Sequence, residues 1–137
     1  MFTLVRNVAA GLCVFLLLAC ALQAVEIHNG LQIEGLVIEN QTRMRISAVR
    51  LLVPATGNFV SCGNIGPGDK CWTTFPEASY TGNPVEITWS QAGQIYSTGE
   101  FAVQTPDDVD IDRPALVSVV IAAPGSAGAV IVQQAAQ

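Results

Sequence analysis

The chain has 137 residues, six of them basic and eleven acidic, for a formal charge of −5, and half of its residues are hydrophobic. That length holds one domain with one core. An acidic chain without a basic cluster excludes nucleic acid as a partner, and excludes binding to anionic lipid by charge.

The first stretch, MFTLVRNVAAGLCVFLLLACALQA, places Arg6 ahead of an apolar run from Val8 to Ala19, with no acidic residue before Glu26. This is the charge-then-apolar pattern of a secretory signal peptide. The run is shorter than the roughly 20 residues that cross a bilayer, which disfavours a retained transmembrane helix. Two exits from it compete. Leu17–Cys20, LLAC, resembles the lipobox of bacterial lipoproteins, and Leu22–Ala24, LQA, would serve an ordinary signal peptidase cutting after Ala24. Alternatively, Cys20 and Cys13 are small apolar residues of the signal core. The lipoprotein resemblance implies cleavage before Cys20, acylation of that cysteine and anchoring through three chains, where one chain alone holds weakly. In that family Ala21, rather than an aspartate after the cysteine, implies the outer membrane. The expected division is 1–19 signal helix, 20–27 tether and 28–137 folded domain. What remains after the signal carries five basic against eleven acidic residues, a charge of −6.

Val25–Asn40 alternates Leu31, Ile33 and Val37 against Gln32 and Glu34, which predicts a strand with a bulge or close approach at Gly35. Asn40–Thr42, NQT, predicts a turn; it is also formally a glycosylation sequon, without meaning behind a bacterial signal. In Arg43–Val53 the apolar set shifts phase near Ala48, as a β-bulge or a crossing between sheets would produce. Phe59–Cys62 and Cys71–Phe75 predict two short strands joined by GNIGPGDK into a hairpin. Val85, Ile87 and Trp89 alternate with Glu86, Thr88 and Ser90, and Gln91–Gln94 turns into Ile95–Val103. After the acidic loop TPDDVDIDRP, the runs ALVSVVIAA and AVIVQ flank the turn Pro124–Gly128. Seven or eight short strands with regular turns predict an all-β, immunoglobulin-like sandwich with Trp89 as its central aromatic. The order GLVIENQT, ISAVRLLV, IGPGDKCWTTF over residues 35–75 resembles small bacterial envelope domains of the FxLYD-like kind. That family's aromatic and Tyr-Asp signature is replaced here by RLLVPATG, and the resemblance implies no catalytic activity.

Candidate chemistry is sparse. The single histidine, His28, stands near the expected mature N-terminus, a poor place to hold a catalytic base. Joined to Cys62 and Cys71 it would make a zinc set, yet eight residues separate the cysteines where zinc sites place two to four. In an oxidising envelope Cys62 and Cys71 are expected to form a disulfide that staples the hairpin loop. Asp107, Asp108, Asp110 and Asp112 are oxygen ligands of the kind calcium takes, but an EF-hand beginning at Asp108 would need glycine at Arg113 and an acid at Val119. A solvated acidic loop, with Arg113 as counter-charge, is the alternative. Arg43, Arg45 and Arg50 read as a solvated face. Trp72 and Phe75, three apart, point to opposite faces of a regular strand, so one is core and the other a candidate contact; Trp72, Tyr80 and Ile65 are the candidate partner contacts. Together these readings predict a non-catalytic, cofactor-free envelope lipoprotein that binds or supports a protein assembly, held to the membrane through Cys20. The alternative is a soluble periplasmic or secreted module for glycan or calcium.

Overall fold

Alternating apolar residues become a core only where two sheets face each other, and the chain builds two. A computed structural model describes residues 30–135, in nine strands. The expected signal, Cys20, the cut after Ala24 and His28 lie outside the described residues. Among the described residues no helix is long and apolar enough to cross a membrane.

One sheet has the order β4 (Lys70–Thr73), β1 (Leu31–Asn40), β8 (Ala115–Ala123), β9 (Ser126–Val132), with the two-residue β5 (Ser79–Tyr80) also on β1. The other has the order β3 (Asn58–Ile65), β2 (Ile46–Val53), β6 (Val85–Gln91), β7 (Gln94–Phe101). All pairings between these strands are antiparallel except β1 with β8, which run parallel. The result is an immunoglobulin-like β-sandwich, whose core includes Leu36, Ile38, Leu51, Ile87, Trp89, Val117 and Ile131. Each buried side chain of this size contributes roughly 1.5–3 kcal/mol over leaving it in water.

Both predicted breaks in periodicity are real bulges. The register of β1 on β8 slips between Ile33 and Gly35. A Cβ on Gly35 would come within 3.2 Å of the Leu116 side chain on β8, a tight fit that the leucine would have to yield to, as the expected close approach requires. The slip corrects one reading: the inward set of β1 is Leu31, Ile33, Leu36 and Ile38, while Val37 lies outside the core cluster on the opposite face. At Ala48, φ is +50°, and both neighbours of β2 lose register across it. Ile46 and Val49 therefore both face inward although they are three apart. The β6–β7 hairpin turns on Ala92 and Gly93, both at positive φ, the backbone that a two-residue turn between right-twisted strands requires.

The hairpin expected between Cys62 and Cys71 is not present. The two strands belong to different sheets, and the turn between them is the corner where the chain crosses the sandwich. Asn40 organises that corner. Its backbone N–H donates to the Asp69 carbonyl at 3.0 Å, and its carbonyl accepts from the Gly68 N–H at 2.7 Å. Its side-chain Nδ2 donates to the carbonyls of Met44 (2.8 Å), Ile65 (3.0 Å) and Gly66 (3.2 Å). Its Oδ1 accepts from the Thr42 N–H at 2.9 Å and the Thr42 hydroxyl at 2.6 Å. Gln91 Nε2 donates to Thr42 Oγ1 at 3.1 Å, and Trp89 Nε1 donates to Gln91 Oε1 at 3.4 Å. With Asn40 fully buried, the sequon is a structural knot.

Candidate functional site

Cys62 and Cys71 are bonded, with S–S 2.09 Å and Cα–Cα 6.0 Å. The bond runs from β3 to β4 and so ties the edge of one sheet to the edge of the other. Both sulfurs' residues pack against the core, which leaves the next residue of β4, Trp72, pointing away from it. Trp72 is 66% exposed, whereas Phe75 is buried, the division that their spacing predicted. The other two contact candidates need correction. Ile65 is 3% and Tyr80 7% exposed, so both fill the core and neither offers a surface. Tyr80 packs edge-on against Phe75 with centroids 6.0 Å apart, and its hydroxyl donates to the Asn83 carbonyl at 3.0 Å.

The carboxylates of Asp107, Asp108, Asp110 and Asp112 are all on exposed residues. Among the described residues, no three aspartate, glutamate, histidine or cysteine side chains converge as metal ligands, so the calcium expectation at this loop has no geometric support. Asp110 Oδ1 accepts from the Asp112 N–H at 2.9 Å, closing a local turn instead. Gln133 ties the loop down: its Oε1 accepts from the Asp110 N–H at 2.9 Å and its Nε2 donates to the carbonyls of Asp110 (2.7 Å) and Arg113 (2.9 Å). Arg113 was expected to neutralise the aspartates. Its guanidinium instead donates to the Gln134 carbonyl, and among the described residues the ion pair within 4.0 Å is Lys70–Glu39, at 3.9 Å.

Around Trp72 lies a surface that the strand-by-strand reading missed. Pairing places Trp72, Val37, Ser118 and Val130 in one row across β4, β1, β8 and β9. Leu116 and Val120 flank Ser118 on β8, and Val132 follows Val130 on β9, all alternating with core residues and therefore outward. The middle of the outer face of the five-stranded sheet is thus mostly apolar, interrupted by Ser118. Its signal was present in the near-continuous runs ALVSVVIAA and AVIV, the pattern of strands covered on both faces. The matching row on the other sheet is Ser61, Arg50, Thr88 and Ser97. There Arg50 covers the exposed Phe59 ring at 3.9 Å, and the Ser97 hydroxyl donates to Glu86 Oε1 at 2.6 Å. Arg50 belongs to this solvated face, while Arg43 and Arg45 are exposed in the β1–β2 connection.

No family model matches the chain, no curated protein matches its sequence and no solved structure matches its fold.

Proposed function

We propose that the chain is a non-catalytic lipoprotein of the bacterial envelope, cut before Cys20, anchored by lipid on that cysteine in the outer membrane, and working as a binding or structural accessory of a protein assembly. The observation that carries the binding reading is the outer face of the five-stranded sheet, where exposed Trp72 and Val132 lie among half-buried Leu116, Val120 and Val130 over the buried Val37. Met44, Phe59, Ile95 and Ile111 are exposed singly elsewhere, whereas on this face Trp72 and Val132 lie among further apolar side chains, and a contiguous apolar patch marks a place for another macromolecule. Exposed tryptophan amid aliphatic side chains suits a protein surface better than a glycan, which needs polar partners beside the ring. The disulfide supports export, since such bonds persist in oxidising compartments. The likeness of residues 35–75 to FxLYD-like envelope domains agrees with the same setting.

Anchoring is tested by the mass of the mature N-terminus together with globomycin. Acylated Cys20, and a precursor that accumulates with the drug, are the expected results; an unmodified start at Val25 would sink the anchor.

A further inference from the structure

We infer that the first occupant of the apolar face is a second copy of this chain, stacked sheet against sheet about a two-fold axis that runs parallel to the strands between β1 and β8. This deepens the reading of that face as an interface and rests on it. Charge distribution selects the occupant. The face carries Glu39 and Lys70 at one end and Glu34 and Arg113 at the other, two acids and two bases, so it is neutral. The remaining described residues hold three arginines against eight acids, a net −5. Two copies of a chain that is acidic elsewhere meet with little charge repulsion through a face that is itself neutral and apolar.

The chosen axis makes the contacts reciprocal, as an isologous interface must be. It lays β4 of one copy over β9 of the other, so Trp72 meets Val130 of the second copy beside the small Gly128. At the lower end Glu34 comes over Arg113 of the second copy, in a cavity of about 420 Å³ lined by Glu34, Arg113, Leu116, Val132 and Gln134. Four strands about 4.8 Å apart and some six residues long at about 3.3 Å each give a footprint of roughly 400 Å² per copy. With the projecting Trp72 that is about 1,000 Å² in total, at the low end for a specific interface. A reversible dimer is therefore expected, with Kd on the order of micromolar to tens of micromolar.

The test uses paired cysteines in cells making the full chain, with copper-phenanthroline as oxidant and non-reducing gels as readout. Trp72→Cys with Val130→Cys places the thiols about 14 Å apart within one chain, three strand spacings, too far to bridge internally. Ser61→Cys with Ser97→Cys spans the same three spacings on the other sheet and serves as control. A covalent dimer with the first pair and monomer with the second is the expected result. Adding Val120→Glu should return the first pair to monomer without moving its melting temperature by more than a few degrees. Dimer with both pairs overturns the proposal, as does an adduct to a different protein, although the latter leaves the face standing as an interface. Monomer with no adduct at all sinks both readings. Sedimentation equilibrium of the unsubstituted full chain is the independent check, and a monomer up to hundreds of micromolar overturns the dimer.

Discussion

Two ties hold the sheets together at the crossing corner, and they differ in kind. The Cys62–Cys71 bond joins the β3 edge to the β4 edge covalently, nine residues apart in sequence. Asn40, at the end of β1, joins the same two sheets by hydrogen bonds to the carbonyls of Ile65 and Gly66. A disulfide acts mainly on the unfolded chain by removing its freedom. The asparagine acts on the folded state, where it satisfies backbone groups that would otherwise be buried without partners. One corner is therefore secured twice, by terms that respond to different conditions. The apolar β4 surface that follows the corner is held in place by both.

Asn40→Ala should have the largest effect. It removes the side-chain partner of the Ile65 and Gly66 carbonyls and of the Thr42 N–H beside a fully buried position, and leaves the Met44 carbonyl with the Thr42 hydroxyl alone. A loss of about 3 to 4 kcal/mol is expected, seen as a lower denaturant midpoint in reducing and oxidising buffer alike. A loss below about 1 kcal/mol would show that the covalent tie suffices and that the knot is incidental.

Replacing Cys62 and Cys71 together by serine comes next. Closing a loop of about ten residues is worth roughly 2.5 to 3 kcal/mol in the loop-entropy model. Reductant should lower the midpoint of the native chain to that of the double variant and leave the variant unchanged. Because both ties position the segment from Cys62 to Gly66, the two losses should fail to add, by at least about 0.5 kcal/mol in a double-mutant cycle. Strict additivity would mean that the ties act independently and would remove the idea of a shared corner.

The sequence makes one tie plain and conceals the other, for a physical reason. Two cysteines behind an expected export signal leave few alternatives, so the bond was legible; its setting was not, because GNIGPGDK can close a hairpin or turn a corner between sheets with the same residues. Phe59–Cys62 gave no hint that β3 runs on to Ile65. Asn40 looked like a turn former because asparagine is common in turns, and nothing local reveals that its amide reaches carbonyls 25 and 26 residues away. The bulges at Gly35 and Ala48 were legible as breaks in period. Yet the first of them moved Val37 from the expected core side to the outer face, since a slip of one residue exchanges the two sides of a strand. The outer face itself escaped notice for a related reason. Leu116, Val120, Val130 and Val132 read as ordinary strand residues one strand at a time, and become a surface only when pairing sets them beside Trp72.

The smallest effect is expected at the far end of β1, and it tests how local the two ties are. Tyr80 pairs with Leu31, nine residues before Asn40 and so roughly 30 Å from the corner. Burial raises the Tyr80 phenol above its ordinary value of 10.0, partly offset by a backbone hydrogen bond involving Val103. With the folded-state value raised, the unfolded chain gives up this proton first as pH climbs past 10. The native state then holds more protons than the unfolded one, and stability falls with rising pH. The contribution is complete below pH 10 and is lost as pH rises through the folded-state value. Denaturant midpoints at pH 7 and in the range from 10 to 11 should show this decline in the native chain and less of it in Tyr80→Phe. At pH 7 that variant should cost about 1 kcal/mol for the lost bond to the Asn83 carbonyl. The alkaline decline should also be the same size in Asn40→Ala and in the cysteine-free variant, because neither tie touches the phenol. A decline that grew in either variant would mean that the corner governs packing along the whole length of β1.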